Sequence, residues 1–306
     1  MSFEQKSYQA HEGYFEKIMN NIEPIKKDFE IFFRTGTVHR WKYERILNNI
    51  DFLFKIFPGA KWLTIGDGRF GGDANYIQSN IDNKSQVIAS DISDYLLKYS
   101  QERNRIKEIM KINAEKIQLK DNSVDFTLCK ESFHHFPRPN LALYEMLRVS
   151  KKAVVLIEPT DYNTNQSIFK RITLKLLKPL FKKINIKILE DSYEKVGNYI
   201  YRLSKNELKK MATALNLSYI AFKGINDYNW KSQKANFSQD ADDSSKTYTK
   251  TKGMIKFLDF LSKYRILSQN LTIAILFKED PNPLDLITLS LKDFEIIKLS
   301  KNPYLK

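Results

Sequence analysis

The chain has 306 residues, 42% of them hydrophobic and 28% charged, which excludes general disorder and leaves room for one large domain or two smaller ones. Lys and Arg number 50 against 36 Asp and Glu, and the formal net charge of +14 fits an anionic partner or an ordinary lysine-rich surface. The single cysteine, Cys129, excludes an intramolecular disulfide. A polar N-terminus and the absence of about 18 consecutive apolar residues predict a cytoplasmic protein without a transmembrane helix.

Residues 1–57 are predicted to form a helical extension, because their apolar residues recur at intervals of three and four. Pro24 marks a break or the first turn of a new helix. Between the helical stretches, residues 33–43 combine cations with aromatic rings. This composition fits either an exposed basic turn or a lid that recognises an anionic substrate.

A glycine-rich loop follows the apolar run 62–65. It contains Gly66, Gly68 and Gly71, and a second apolar run some twenty residues later ends at Asp91. Glycines permit a sharp strand-to-helix turn and let backbone N–H groups approach a ligand. An acidic residue at this distance can accept hydrogen bonds from ribose hydroxyls, so the spacing predicts a nucleoside-containing cofactor.

Apolar runs and helical patterns alternate along residues 58–160. They predict strands at 61–65, 86–90, 109–112, 124–130 and 153–157, with helices at 72–79, 93–103 and 139–149. This alternation is typical of a mainly parallel sheet flanked by helices. Ligands bind at the carboxyl ends of such strands, where Asp67, Asp91, Glu131 and Glu158 lie.

Residues 161–225 begin with a basic stretch at 168–183. Its apolar residues recur at helical intervals among lysines, which fits a substrate-covering or surface helix, or contact with a membrane surface. A helix is then predicted to start at the capping residue Ser204, followed by a strand at 218–223.

Residues 226–306 form the last predicted segment. The polar stretch 226–250 predicts a loop or mobile lid, and the last strand of the sheet is expected at 270–277. The tail beyond it alternates apolar and polar residues and is expected to dock on the body of the protein.

Four further segments follow the glycine-rich loop in a fixed order. They are 113–119, which begins Asn113-Ala114-Glu115; 121–136, which contains Lys130-Glu131 and His134-His135; 143–149; and 153–159. In this order they closely resemble the class I S-adenosylmethionine-dependent methyltransferases, in particular the small-molecule branch related to the ubiquinone and menaquinone methyltransferases. The resemblance covers about 58–160 well and 200–278 more loosely.

The resemblance implies an α/β fold: a Rossmann-like, mainly parallel seven-stranded sheet flanked by helices, with an N-terminal helical extension and an inserted lid. It also implies S-adenosylmethionine as cofactor. The residues expected to bind it are Gly66, Asp67, Gly68, Gly71, Asp91, Ile92, Asn113, Ala114, Glu115 and Lys130.

Two positions depart from the family pattern. Thr64 stands where the family usually has an acidic residue, so Asp67 is expected to take over the contact to the methionine amine. Asn113 stands where the family usually has Asp, and an amide can still hydrogen-bond an adenine edge.

Methyl transfer requires an enzyme to align the acceptor, exclude water and, for a hydroxyl acceptor, remove a proton. His134 and His135 follow the fourth predicted strand, where an acceptor would meet the methyl group, and either can serve as the general base. Glu131 is a further catalytic candidate, in contact with the methionine amine or the substrate. No metal site is predicted, because adjacent histidines cannot easily place both rings on one ion.

The acceptor is expected to be a small anion, because guanidinium groups bind phosphate or carboxylate through paired hydrogen bonds. The basic candidates are Arg34, His39, Arg40, Lys42, Arg69 and Arg138. They predict O-methylation of a phosphorylated or nucleotide-linked sugar or an acidic glycan, as in carbohydrate or polysaccharide biosynthesis. Glu158 is expected to contact the acceptor or to cap a helix. Alternatively, the cations pair with Glu44, Asp73 or Glu145 as surface salt bridges.

Three other functions stay open on sequence alone, and the weakest is nicotinamide-dependent oxidoreduction, because the residues after Asp91 follow the methyltransferase order. The net charge of +14 and the basic stretch 168–183 fit an RNA methyltransferase. Against this, the fourth strand ends in Lys130-Glu131-Ser132-Phe133, not in the Asn/Asp-Pro-Pro-Tyr/Phe signature of base amino methylation. A non-catalytic cofactor-binding subunit fits the departures at Thr64 and Asn113. The oligomeric state is open.

Overall fold

The computed structural model describes residues 2–19, 22–80, 85–161, 176, 179, 193–194, 198–230 and 239–304. The basic stretch 168–183 lies outside these residues except for 176 and 179, so the surface helix expected there stays a prediction. Among the helices of the described ranges, none combines the length and the apolar character needed to cross a bilayer.

The N-terminal extension is helical, as predicted. Its helices are α1 (Phe3–Met19), α2 (Ile22–Phe33), α3 (Val38–Leu47) and α4 (Asp51–Ile56). Pro24 lies in the first turn of α2, where its missing N–H leaves no intrahelical bond unmade. Thr37 caps α3, because its side chain accepts a hydrogen bond from the backbone N–H of Arg40.

The rest of the described chain builds a sheet with helices on it. The strands are β1 (Lys61–Ile65), β2 (Gln86–Asp91), β3 (Glu108–Lys111), β4 (Val124–Lys130), β5 (Ser150–Pro159), β6 (Tyr219–Ile225), β7 (Leu271–Phe277) and β8 (Glu295–Lys298). The helices are α5 (Gly72–Asn80), α6 (Tyr95–Gln101), α7 (Pro139–Val149), α8 (Lys205–Ala214), α9 (Lys246–Lys263) and α10 (Pro283–Leu291).

The strands lie in the order β3-β2-β1-β4-β5-β7-β6-β8. Strands β1 to β5 pair in parallel, and β7 runs antiparallel to both β5 and β6. The strand order reverses between β1 and β4, which opens a crevice at their carboxyl ends. Ile65 lies opposite Cys129 in the register, so the loops after these two strands emerge side by side.

The described sheet has one strand more than the seven that the sequence predicts. The tail, expected only to dock on the body, adds β8 at the edge, antiparallel to β6. Strand residues alternate between the two faces of a sheet. Ile296 therefore packs against the apolar cluster on one face and Ile297 against the cluster on the other.

Residues 246–250, predicted as part of a loop or mobile lid, instead begin helix α9. Ser245 caps the helix by accepting a hydrogen bond from the Tyr248 N–H, and Ile255 and Leu258 are buried against the body. The first two turns are rich in lysine and threonine. The helical period of apolar residues therefore shows only in the second half of the element, which is why the sequence suggested a loop.

Aromatic packing in the core joins β1 to β4. The ring of Trp62 stacks on that of Phe126 with their centroids 4.4 Å apart, and both side chains are fully buried. A stacked pair of this kind adds to the large apolar area that two such rings remove from water. It fixes the relative position of the two strands whose ends carry the site.

The N-terminal helices contact the glycine-rich loop through Phe70. This residue has a φ of 64°, which is uncommon for a residue with a Cβ. Its ring is 3% exposed and packs against those of Phe29, Phe32 and Phe33, with 5.4 Å between its centroid and that of Phe29. Burial of the ring offsets the backbone strain and ties α2 to the loop.

Replacing Phe70 by Ala should lower the free energy of unfolding by about 3–5 kcal/mol, the usual range for truncating a buried Phe. Urea denaturation followed by circular dichroism measures the change. Phe260→Ala is the control: Phe260 is 54% exposed on α9, so its loss should cost less than about 0.5 kcal/mol. Equal losses in the two variants would contradict a structural role for Phe70.

Candidate active site

The backbone of the glycine-rich loop lies against the ends of two strands. Gly66 has a φ of 72°, and a Cβ there would lie 2.4 Å from the Cβ of Ser132, just after β4. A Cβ on Gly68 would lie 2.5 Å from the Cγ of Asp91, at the end of β2. The loop therefore depends on glycine at both positions.

Asp91 holds the loop from the neighbouring strand. Its Oδ2 accepts a hydrogen bond from the Gly68 N–H at 3.0 Å, and its Oδ1 accepts one from the Ser93 N–H at 2.9 Å. Burial raises the pKa of Asp91 to about 6. Each carboxylate oxygen can accept more than one hydrogen bond, so Asp91 can still bind the hydroxyl groups of a ligand.

A cavity of about 580 Å³ opens at these strand ends and is called the large cavity. It is lined by seven residues predicted to bind the cofactor: Gly66, Gly68, Asp91, Ile92, Asn113, Ala114 and Glu115. Of the other three, Gly71 packs against Ile106, while Asp67 and Lys130 line a neighbouring cavity. The volume is in the range that accommodates nucleotide-sized ligands.

Helix α1 forms one wall of the large cavity with Tyr8, Ala10 and His11. The Tyr8 hydroxyl donates to the buried Glu115 carboxylate, which also accepts from Arg138 Nε at 2.7 Å. Neither Tyr8 nor His11 was predicted as a site residue from the sequence. They lie more than fifty residues before the glycine-rich loop, and no local pattern marks the face of α1 that meets the core.

A second cavity of about 340 Å³, the small cavity, adjoins the first. Five residues line both cavities: Gly66, Arg69, Glu131, Ser132 and His135. Phe32, His39 and Tyr43 of the N-terminal helices close the small cavity on another side. Two ligands, one in each cavity, would meet at the shared wall.

Lys130 contributes to the small cavity as part of a buried ion pair. Its Nζ lies 3.3 Å from Asp73 Oδ1 and 4.4 Å from the centroid of the Tyr43 ring. The Tyr43 hydroxyl donates to the same Asp73 carboxylate. Burial disfavours the ammonium, but the charges of Asp73 and Glu131 outweigh burial and raise the pKa of Lys130. Lys130 is therefore a fixed positive charge.

Asp67 caps helix α5. Its Oδ1 accepts from the Asp73 N–H at 3.1 Å, and its Oδ2 accepts from the Ala74 N–H and the Thr64 hydroxyl, each at 2.9 Å. Burial, reinforced by the charge of Asp73, raises the pKa of Asp67 well above its usual range. The contact of Asp67 with a methionine amine stays a prediction. The Thr64 hydroxyl supports this carboxyl group from within the protein.

His134 is held by a buried carboxylate at the wall of the small cavity. Its Nδ1 lies 2.6 Å from Glu158 Oε2, and Glu158 Oε1 accepts from the backbone N–H groups of Ser132 at 2.8 Å and Phe133 at 2.9 Å. Burial lowers the pKa of His134, but the charge of Glu158 outweighs burial, so the net shift is upward. With Nδ1 occupied, Nε2 is the nitrogen that can receive a proton.

Glu158 was expected to contact the acceptor or to cap a helix. It is fully buried, and both of its oxygens are engaged within the protein. It therefore acts on the small cavity through His134. The sequence placed Glu158 at the correct strand end. Its pairing with His134 depends on the parallel pairing of β4 with β5, which brings the ends of the two strands side by side.

His135 belongs to a second imidazole–carboxylate group. Its Nδ1 lies 2.5 Å from Glu194 Oε1, and Glu194 Oε2 lies 3.4 Å from His11 Nε2 on α1. Burial favours the neutral acid, but the nearby His11 and the hydrogen-bonded His135 lower the pKa of Glu194 to about 2. The ring centroids of His134 and His135 are 4.0 Å apart, so the two groups are adjacent. Glu194 carries no sequence signal and was not predicted.

Four of the basic residues predicted to bind the acceptor are engaged in ion pairs. One is Lys42, whose Nζ lies 2.9 Å from Asp227 Oδ2. Arg34 Nη2 lies 2.6 Å from Asp240 Oδ1, and Arg40 Nε lies 2.6 Å from Glu44 Oε1. Arg138 is bound by Glu115, as described above. Neither Arg34 nor Arg40 is among the described residues that line the two cavities.

His39 and Arg69 do line the small cavity. Burial, followed by the charges of Arg69, Lys130, Lys42 and Arg40, lowers the pKa of His39 to about 3. The imidazole is therefore neutral. Asp67, Asp73 and Glu131 line the same cavity, so its wall carries charges of both signs.

Residues 63–157 match a family model described as "Methyltransferase domain". This part of the chain is a methyltransferase domain. It is of the class I type that uses S-adenosylmethionine. The match includes the glycine-rich loop, Asp91 and His134. Glu158, the partner of His134, directly follows the last matched residue.

Comparison of the methyltransferase with solved structures gives distant similarities. One is to a SAM-dependent methyltransferase of Thermotoga maritima, described as a possible histamine N-methyltransferase: 18% identity, 84% of this chain and 98% of that chain covered, TM-score 0.46. Another is to magnesium protoporphyrin IX methyltransferase of Synechocystis PCC 6803 with bound SAH: 12% identity, 88% and 98% covered, TM-score 0.47. Neither identifies the acceptor. A comparison with curated proteins gave no match.

The large cavity of the methyltransferase fits S-adenosylmethionine. The missing side chains at Gly66 and Gly68 leave the loop backbone bare, and Asp91 offers oxygens for ribose hydroxyls. Ile92 and Ala114 supply apolar surface for an adenine ring. These residues would hold the cofactor, which supplies a transferable methyl group.

Gly68→Ala should weaken binding of S-adenosylhomocysteine at least tenfold, about 1.4 kcal/mol, because the new Cβ would displace the Asp91 carboxyl group. Isothermal titration calorimetry measures the affinity. Gly253→Ala is the matched control, since a Cβ at Gly253 on α9 meets nothing within 4 Å. Unchanged affinity in a folded Gly68→Ala protein would show that the loop does not hold the cofactor.

Proposed function

We propose that the methyltransferase domain methylates a hydroxyl group of a small anionic acceptor that binds in the small cavity. The observation that carries the proposal is the His134–Glu158 pair, 2.6 Å apart, at the wall of this cavity. A neutral imidazole oriented by a carboxylate is suited to remove a hydroxyl proton. An acceptor there would adjoin the shared wall, and thus a cofactor in the large cavity.

S-adenosylmethionine supplies an electrophilic methyl group when it is bound. The chain aligns the acceptor hydroxyl at the shared wall, and His134 Nε2 takes the proton that the hydroxyl loses. Glu158 accepts the Nδ1–H hydrogen bond, which selects the neutral tautomer whose Nε2 is free to take a proton and stabilises the imidazolium that forms. Phe32 and Tyr43 limit the access of water to the small cavity.

Arg69, which lies near His39, supports an anionic acceptor. Arg69 lines both cavities, and together with Lys130 it contributes to the low pKa of His39, after burial. A phosphate or carboxylate would pair with Arg69, because the Lys130 ammonium is already shared by Asp73 and Glu131. Phosphorylated sugars, nucleotide-linked sugars and acidic glycans combine such a group with methylatable hydroxyls. We therefore propose a role in carbohydrate or polysaccharide biosynthesis.

His134→Ala should lower kcat by roughly 10²–10⁴-fold, the usual contribution of a general base, while the affinity for S-adenosylhomocysteine stays unchanged. His135→Ala is the matched control and should retain most of kcat. Both are measured by mass spectrometry of methylated product with an acceptor found in a screen of phosphorylated and nucleotide-linked sugars. Loss of kcat in His135→Ala alone would transfer the role of base to His135.

The pH profile tests the contribution of Glu158. His134 must be neutral to accept a proton, and its pKa is raised, so kcat should increase with pH through a value above the usual 6.5. In Glu158→Gln the negative charge is lost while burial remains. The pKa of His134 should then fall and the rise in kcat should move to lower pH. A profile that does not move would exclude His134 as the titrating base.

Arg69→Gln should raise the KM of a sugar phosphate about tenfold and leave that of the parent neutral sugar nearly unchanged, since a charge-assisted hydrogen bond contributes roughly 1.5–3 kcal/mol. Arg40→Gln is the control, because Arg40 pairs with Glu44. Because Arg69 also lines the large cavity, calorimetry with S-adenosylhomocysteine measures whether the substitution changes cofactor affinity as well as the KM of the acceptor. Equal KM changes for both acceptors would argue against an anionic acceptor.

A further inference from the structure

Helix α9 exposes an aromatic stripe that neither cavity uses. Phe257 and Phe260 of α9 are 46% and 54% exposed, and Tyr264, which caps the end of the helix, is 61% exposed. Their spacing of three and four places them on one face of the helix. The ring centroids of Phe260 and Tyr264 are 4.8 Å apart. A contiguous exposed aromatic surface of this kind is a feature of interaction sites rather than of an ordinary solvated helix.

Positive charge surrounds this stripe. α9 contains five lysines against one acidic residue: Lys246, Lys250, Lys252, Lys256 and Lys263 against Asp259. At about 100° per residue, Lys256 and Lys263 flank the aromatic stripe on one side and Lys250 on the other. Asp259 accepts a hydrogen bond from the Asn226 side chain at 2.8 Å, which engages the one acidic group with the body.

The opposite face of α9 anchors the helix. Thr247, Thr251, Ile255 and Leu258 are buried. The aromatic stripe is therefore not a misplaced core face, because the core contact of this helix is already satisfied. The exposed rings therefore contact either water or a partner outside the described residues.

We propose that this face of α9 docks the methyltransferase on the surface of a membrane that contains anionic lipids. The aromatic rings would enter the headgroup region, and the flanking lysines would extend their ammonium groups to lipid phosphates. Each lysine near an anionic bilayer adds to the attraction, and the apolar rings add a contribution that does not depend on salt. The contact is peripheral and independent of the proposed reaction.

A membrane matches the charge of the face better than a second copy of the chain does. In a two-fold dimer each patch meets itself, so the lysines of both copies would face each other at short distance and repel. Single-stranded nucleic acid is the other polyanion that combines with cations and aromatic rings. Binding of such a strand is therefore the alternative that the experiment below separates from binding to a lipid surface.

Docking in this orientation has a consequence for the site. Tyr248 of α9 packs on Trp41 of α3, with 4.9 Å between ring centroids, and α3 carries His39 and Tyr43 of the small cavity. The helix that would meet the membrane thus packs directly on a helix that lines the small cavity. Docking would hold the small cavity at a fixed place relative to the lipid surface.

Sedimentation of the full chain with lipid vesicles tests the proposal. Vesicles of phosphatidylcholine with phosphatidylglycerol should bind the protein, and vesicles of phosphatidylcholine alone should not. The triple variant K250Q/K256Q/K263Q should lose roughly fivefold in partition coefficient for each lysine. F257S/F260S should lose roughly tenfold or more at every salt concentration, because ring insertion is not screened.

K209Q/K210Q is the control, since Lys209 and Lys210 are exposed on α8 and their replacement lowers the net charge by two, against three in the triple variant. It should bind within about twofold of the wild type, and circular dichroism should show every variant folded. Equal binding to both kinds of vesicle, or an unchanged triple variant, would overturn the proposal. So would binding of a single-stranded oligonucleotide in place of vesicles, or a dimer that F257S/F260S dissociates.

Discussion

The close approach of the backbone at Gly66 and Gly68 is the constraint on which the site depends. Strand β1 lies between β2 and β4, and its loop contacts Asp91 on one side and Ser132 on the other, at distances that exclude a Cβ. The same loop presents Phe70 to the N-terminal helices. Both cavities are built on these contacts. A side chain added at either glycine would displace the loop and so change the cofactor site and the proposed acceptor site together.

Buried carboxylates fix the walls of these cavities. Asp67, Glu115 and Glu158 each have both oxygens engaged by backbone or side-chain donors. Burial of a carboxyl group is unfavourable unless such partners are present, so these groups hold rigid positions. Glu158 differs from the others in its partner, because the His134 imidazole can gain and lose a proton at neutral pH. For this reason the proposed chemistry is assigned to that pair.

The positive charge of the chain is divided among several roles. Arg34, Arg40 and Arg138 are held by carboxylates, as the salt-bridge alternative in the sequence analysis foresaw for Arg40 and Glu44. Arg69 lines the cavities, and lysines collect on the exposed face of α9. A net charge of +14 could not separate these roles, because sequence position does not reveal which cation has an acidic neighbour in space.

The sequence by itself determined the elements whose signals are local. The strands 61–65 and 124–130 agree with prediction to the residue, and the glycine-rich loop with its acidic partner was recognised from spacing. Only the tertiary structure decided which distant groups meet. No local pattern marks the cavity wall formed by Tyr8 or the contact of Glu194 with His135, because packing between segments far apart in the chain sets both. Helix α9 was missed because its first turns are polar.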